Sequence, residues 1–188
     1  DISEQADIYH AVVEKLGIES VHIFGVSMGG VSALHYAQKY PTSSLVLWSA
    51  VTGTYHPNPE SMESPLGKVL LSPVAKNIVS WLMARSVRLM FKETIKTFLQ
   101  AEAELPKQVI DKIADQMAID AQERENAIRF VDSTTPMGKL YDGMMWEVEE
   151  TAKEWSVDWN SITCPALVVA SPVDKDVAYE EHYLPVVE

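Results

Sequence analysis

The feature that most constrains this chain is a short β-rich run that passes directly into a glycine-punctuated helix. Val21-His22-Ile23-Phe24 ends in Gly25, and from Met28 the stretch Gly29-Gly30-Val31-Ser32-Ala33-Leu34-His35-Tyr36-Ala37 turns helical until Pro41. Two further apolar runs, Leu-Val-Leu-Trp-Ser-Ala at 45–50 and Ala-Leu-Val-Val-Ala at 166–170, read as a second and a third strand. Their near-continuous apolarity, in place of alternation, is what strands covered by helices on both faces require. The fold class expected is therefore α/β with parallel strands. Upstream, Ile8, Val12 and Leu16 at fourfold spacing, with Tyr9 and Val13 alongside and Gly17 as a left-handed stop, predict an amphipathic helix over 4–16.

No strand signal interrupts the long stretch between the second and third strands. Ile78, Trp81 and Leu82, then Val109, Ile113 and Met117, then Ile128 and Val131, and finally Leu140, Tyr141, Met144, Met145 and Val148 recur at three- and fourfold spacing. These predict helices broken near Pro73, Pro106 and Pro136, with the acidic run Glu147 to Glu154 as the solvated face of the last one. The organisation expected is a core part over 1–52, a helical cap or lid over 53–160 and a second core part over 161–188.

Composition narrows the class of partner. With 188 residues, 47% of them apolar and 22% charged, the chain is long and apolar enough to bury a core as one domain carrying an insertion. Its net charge of −12 repels phosphate backbones and anionic headgroups, which disfavours nucleic acid. No run approaches the length of a membrane span. Cys164 is the single cysteine, so no internal disulfide can form, and its neighbours show no metal-ligand spacing. A reducing compartment, the cytoplasm, is the expectation.

Gly25-Val26-Ser27-Met28-Gly29 matches G-x-S-x-G in the strand, sharp turn and helix context that a nucleophile elbow needs. The flanking glycines Gly25 and Gly29 let the backbone turn tightly, so that Ser27 can project its hydroxyl above the sheet edge. Met28 supplies a backbone N–H at a helix start, where donors are unpaired and the dipole favours negative charge.

On these residues the chain resembles the α/β-hydrolase fold superfamily. The run from Leu16 to Gly30 is similar to that family's helix, fifth strand, elbow and following helix. Tyr40-Pro41 and Leu45-Val46-Leu47 resemble the helix end and sixth strand, and Ile162-Thr163-Cys164-Pro165-Ala166-Leu167-Val168-Val169 the lead-in to the seventh. The helical insertion falls where the family carries its cap. The resemblance implies a partial α/β-hydrolase fold and a triad whose acid follows the sixth or seventh strand. After the sixth, Val51-Thr52-Gly53-Thr54-Tyr55 offers no carboxylate; after the seventh, Ser171-Pro172-Val173-Asp174-Lys175-Asp176 places Asp174 at the family's acid position, with Asp176 as the alternative.

The family's histidine follows an eighth strand, which is expected beyond Glu188. Within the chain, His182 reads as a surface residue, His10, His22 and His35 as packing residues, and His56 as a loop residue near the mouth of the site, a candidate substrate contact. The family's first four strands and its second oxyanion donor are likewise expected outside the chain. The resemblance therefore implies an internal fragment of a longer enzyme, inactive and poorly soluble when expressed alone.

Functionally it implies a serine hydrolase acting on a small apolar acyl or ester substrate, including a lactone, a thioester or the C–C bond of a diketone, with no metal and no organic cofactor. The alternative is a noncatalytic relative that binds an apolar ligand or a protein through its cap. The cap's Trp81, Met83, Met90, Phe91, Met137, Met144, Met145 and Trp146 are compatible with an acyl or aromatic pocket, but stripes of Met and Trp at helical spacing more often form a cap's own core.

Overall fold

A computed structural model describes residues 1–57, 72 and 75–187. The chain divides into one unit made of Asp1–His56 and Trp146–Glu188 and a second made of Pro57–Met145. The first begins with α1 (Ile2–Lys15), β1 (His22–Ser27), α2 (Gly29–Lys39) and β2 (Ser44–Ala50). After the second unit it resumes through the end of α7 (Tyr141–Thr151), β3 (Ala166–Val169) and the short helices α8 (Tyr179–His182) and α9 (Leu184–Val187). The boundaries expected at 53 and 160 thus move to 57 and 145. The physical reason lies in 146–164: Trp146, Trp155, Val157, Ile162 and Cys164 all pack against the first unit's core.

The strands form a parallel sheet in the order β1-β2-β3, with Phe24 opposite Val46 and Leu47 opposite Val168. Parallel strands present their C-terminal ends along one edge, so the segments after Ser27, Ala50 and Val169 all emerge on the same side of the sheet. Leu34, Leu45 and Leu47 are almost wholly buried where α2 covers one face, with Ala33, Ala37 and Ala50 around them. At roughly 1.5–3 kcal/mol for each fully buried aliphatic side chain, this layer is the principal apolar contribution to the unit.

Among the described residues, cover on both faces, as expected from the continuous apolar runs, is not found. Phe24 (61% exposed), Trp48 (52%) and Leu167 (57%) stand on the face away from α2, with Phe24 and Trp48 in ring contact at 6.5 Å. The α1 stripe behaves likewise, with Ile8, Val12 and Leu16 all exposed. That helix docks through its other side: Ile2 and Ala6 are buried, Ser32 Oγ donates to Gln5 Oε1 at 2.5 Å, Tyr40 donates to Asp7 at 2.8 Å, and His10 stacks on Tyr40 at 3.8 Å. Gly17, at φ +65°, ends the turn after α1 as anticipated.

The second unit is helical among the described residues: α3 (Lys76–Leu89), α4 (Phe91–Glu102), α5 (Lys107–Ile119) and α6 (Ala121–Ser133). Its core joins Val87, Phe91, Ile95, Ala114 and Val131. Ion pairs from Arg88 to Asp132 and from Lys96 to Asp111 tie α3 to α6 and α4 to α5. Pro106 immediately precedes α5 and Pro136 a short 3-10 turn, whereas Pro73 lies outside the described residues. The face that α3 buries carries Ser80 and Val87, and the predicted stripe Ile78, Trp81 and Leu82 is exposed. Among the described residues, no helix is long and apolar enough to cross a membrane.

Two glycines set how closely α2 approaches the sheet. A Cβ on Gly30 would lie 2.6 Å from Ala50 Cβ and 2.8 Å from the Val51 carbonyl oxygen, and one on Gly25 would lie 2.8 Å from Ala33 Cβ. Gly29 would meet nothing within 4 Å. Gly30→Ala should therefore lower stability by about 1–3 kcal/mol through overpacking. Gly29→Ala should be neutral or slightly stabilising, since alanine gains up to about 1 kcal/mol over glycine in a helix. Urea midpoints of the two variants measure the contrast.

Candidate active site

Ser27 is the last residue of β1, with Met28 capping α2 immediately after it. Its φ is +50°, a left-handed conformation that a residue with a Cβ adopts at a cost. The pairing with β2 shifts at the same point: Val26 is opposite Trp48, but Ser27 is opposite Ala50. The residue skipped, Ser49, also has a positive φ, +39°. A bulge of this kind bends a strand and re-aims the side chains beside it. The turn is closed by the Val51 N–H donating to the Ser27 carbonyl at 3.0 Å. Ser27 is half-buried, and the N–H groups of Met28 and the first turn of α2 belong to the set that a helix start leaves without intrahelical acceptors.

Of the two glycines expected to permit this turn, Gly25 is sterically required and Gly29 is not. Gly30 carries the second close approach. Gly30 directly follows the G-x-S-x-G motif in sequence, and only the position of Ala50 and Val51 distinguishes its role.

Asp174 lies in the loop after β3, at the same sheet edge as Ser27. Its Oδ1 accepts from the N–H groups of Asp176 and Val177, both at 3.0 Å. Val177 is buried in one apolar cluster with Ile2, Val31, Val51 and Tyr55, against which Met28, Trp146 and Trp155 pack. The residue following Ser27 and the third residue after Asp174 thus share a core. Asp176 accepts the Tyr55 hydroxyl at 2.6 Å, so the two neighbouring carboxylates have different partners.

The histidines separate by environment. His22, at the opposite end of β1, pairs through Nδ1 with Ser44 Oγ at 2.8 Å. His10 is within 3.3 Å of the Tyr36 hydroxyl, and His35 lies against Trp155 with its Nε2 buried. His56 is exposed at the end of the loop after β2. His182 differs from the surface residue expected: it is 3% exposed, its Nδ1 accepts from the Thr52 N–H at 3.3 Å, and its carbonyl accepts from Thr52 Oγ1 at 2.5 Å. Sequence offered little warning, because a histidine in a short post-loop helix has the pattern of a solvent-facing residue. Glu147 is also less solvated than the acidic run suggested. It lines a cavity of about 400 Å³ with Tyr9, Gly29 and Tyr36, and burial raises its carboxyl above the ordinary range. Among the described residues, no three His, Cys, Asp or Glu side chains are grouped to hold a metal ion.

Burial holds the His182 imidazole below its ordinary value of 6.5, against the opposing pull of Glu181, Asp176 and Asp174. The unfolded chain therefore binds this proton more readily, and stability rises with pH across the interval. His182 should contribute stability fully above pH 6.5 and lose it as pH falls through its depressed folded value. In His182→Asn an amide oxygen can still accept from the Thr52 N–H but does not titrate. Urea unfolding between pH 5 and 8 should show a smaller acid-side loss in that variant than in the parent.

Comparison with known proteins agrees with this fold. The model of the alpha/beta hydrolase fold family matches residues 2–177. A curated relative, an uncharacterised hydrolase (YcgS) of Bacillus subtilis strain 168, is 28% identical over 183 residues, covering 93% of this chain and 59% of the relative. A solved structure, an alpha/beta hydrolase fold protein from Nakamurella multipartita, superposes with a TM-score of 0.76 at 22% identity, over 97% of this chain and 62% of that one. The chain therefore spans about three fifths of the length of these relatives. With a glycine-bounded serine between a strand and a helix, and a family match from the first helix to the loop after β3, the chain belongs to the alpha/beta hydrolase fold family.

Proposed function

We propose that the chain carries the nucleophile and acid of a serine hydrolase that cleaves a carboxylic ester or a related acyl substrate. The observation that carries this reading is the left-handed Ser27 at the end of β1, directly before α2 and at the sheet edge from which the Asp174 loop also emerges. A serine in this conformation at a strand end is the arrangement that a nucleophile elbow needs.

In the mechanism proposed, Ser27 Oγ attacks the carbonyl carbon as a histidine takes its proton. The tetrahedral oxyanion accepts from the Met28 N–H. The histidine then returns the proton to the departing alkoxide, leaving an acyl-serine, and water releases the acid by the same steps in reverse order. Asp174 orients the imidazole and stabilises its protonated form. In the family this chain belongs to, the proton acceptor is expected on a histidine that follows a further strand, and this reading gives it that role; His10, His22, His35 and His182 each have other surroundings. His56 is proposed as a substrate contact. We assign the cap expected over 53–160 to the second unit, Pro57–Met145, and give it selection of the acyl group; within its described residues Met83, Met90, Phe98 and Ala101 line an apolar cavity of about 330 Å³. The lone Cys164 suits a reducing cytoplasm.

Kinetics on the full-length protein test the assignment. Ser27→Ala should abolish turnover of p-nitrophenyl esters. Asp174→Asn should lower kcat by about 10⁴-fold with KM little changed, because an amide favours the wrong imidazole tautomer. Asp176→Asn should cost far less. Ester turnover that survives Ser27→Ala would overturn the reading, and binding of an apolar ester without turnover in the parent would favour a noncatalytic ligand-binding role.

A further inference from the structure

We propose that Tyr55 and Asp176 form a latch that positions Asp174, an inference that rests on the hydrolase reading above. Tyr55 stands in the loop after β2 and is 6% exposed, its ring packed with Val31, Val51 and Val177. Its N–H donates to the Thr151 carbonyl at the end of α7 at 2.8 Å, which fixes the backbone from which the ring projects. At the far end of the ring the hydroxyl donates to Asp176 Oδ1 at 2.6 Å, the short length of a charge-assisted bond.

The connection to Asp174 runs through two residues of main chain. Asp176 N–H and Val177 N–H are the donors that hold Asp174 Oδ1, so the residue gripped by Tyr55 is also one that orients the acid. Buried Val177 anchors the loop from the adjacent position. On the far side of the loop, Thr52 grips His182 twice, through its N–H to the ring and through its hydroxyl to the carbonyl. The segment after β2 therefore holds the segment after β3 at points on both sides, and residues 176–182 cannot shift without breaking one of them. Asp176 is accordingly a brace whose carboxylate is committed to Tyr55, and Tyr55 is a positioning residue. A carboxylate misplaced by an ångström loses its imidazole geometry, so a small loosening reaches the chemistry.

The test uses the full-length protein, with active sites titrated so that rates refer to folded enzyme. Tyr55→Phe removes only the hydroxyl, and Asp176→Ala removes its acceptor, whereas Asp176→Asn keeps an acceptor. The first two should each lower kcat about tenfold or more with KM within about twofold, the double variant Tyr55→Phe/Asp176→Ala should be no slower than either single, and Asp176→Asn should recover most of the rate. Hydrogen exchange of peptides spanning 171–177 gives a readout independent of activity: amide exchange should quicken at least about fivefold in Tyr55→Phe and in Asp176→Ala, but not in Asp176→Asn. Unchanged exchange in Tyr55→Phe overturns the latch, whatever the activity. Faster exchange with full titrated kcat also overturns it, because the loop would then be held for stability alone. Failure of the hydrolase reading would appear separately, as turnover in the parent that Ser27→Ala does not remove.

Discussion

The approach of α2 to the sheet is the contact on which the rest of the first unit depends. A helix axis normally stands off a sheet by the depth of its side chains, and here Gly30 against Ala50 and Gly25 against Ala33 remove part of that depth. The closeness has two consequences. Leu34 is buried in one cluster with Leu45 and Leu47, and the chain must reverse from β1 into α2 with Met28 alone between them. A reversal that sharp leaves the connecting serine in left-handed space, and the bulge at Ser49 lets β2 follow the displaced end of β1. The strain at Ser27 is thus balanced by apolar burial a few residues away, a division of labour common at functional sites.

The Asp174 loop depends on the same core from the other direction. Val177 enters the cluster containing Val31 and Val51, one from the first turns of α2 and one from the residue that closes the serine turn. Asp174 is held by two backbone donors in its own loop, while Asp176 and His182 are held by the segment after β2. The polar network therefore has an order: one carboxylate is fixed by its own loop, and the next one by a neighbouring loop.

Much of this was legible in the sequence because it lies in local pattern. Strand, turn and helix at 22–39, the strands at 44–50 and 166–169, the stop at Gly17 and the helical character of 76–151 follow from apolar runs, glycines and prolines. What was not legible depends on which of several available faces is buried. In α1 the apolar stripe of Ile8, Val12 and Leu16 lost to a mixed face of Ile2, Ala6, Gln5, Asp7 and His10, because Ser32 and Lys39 of α2 and Tyr40 just after it offer polar partners to that face. In α3 the stripe of Ile78, Trp81 and Leu82 lost in the same way to the side bearing Ser80 and Val87. The roles of Tyr55 and His182 were equally hidden, since each arises from a contact more than a hundred residues distant in sequence.

The central claim is that Ser27 is an activated nucleophile, and covalent capture tests it most directly. A fluorophosphonate reacts with a serine whose hydroxyl is deprotonated as it attacks, and its adduct persists through intact-mass measurement and peptide mapping. The account predicts one adduct per full-length molecule, located on the peptide containing Ser27 and absent from Ser27→Ala. An adduct on a different serine, or none in a folded protein that hydrolyses esters, would contradict it.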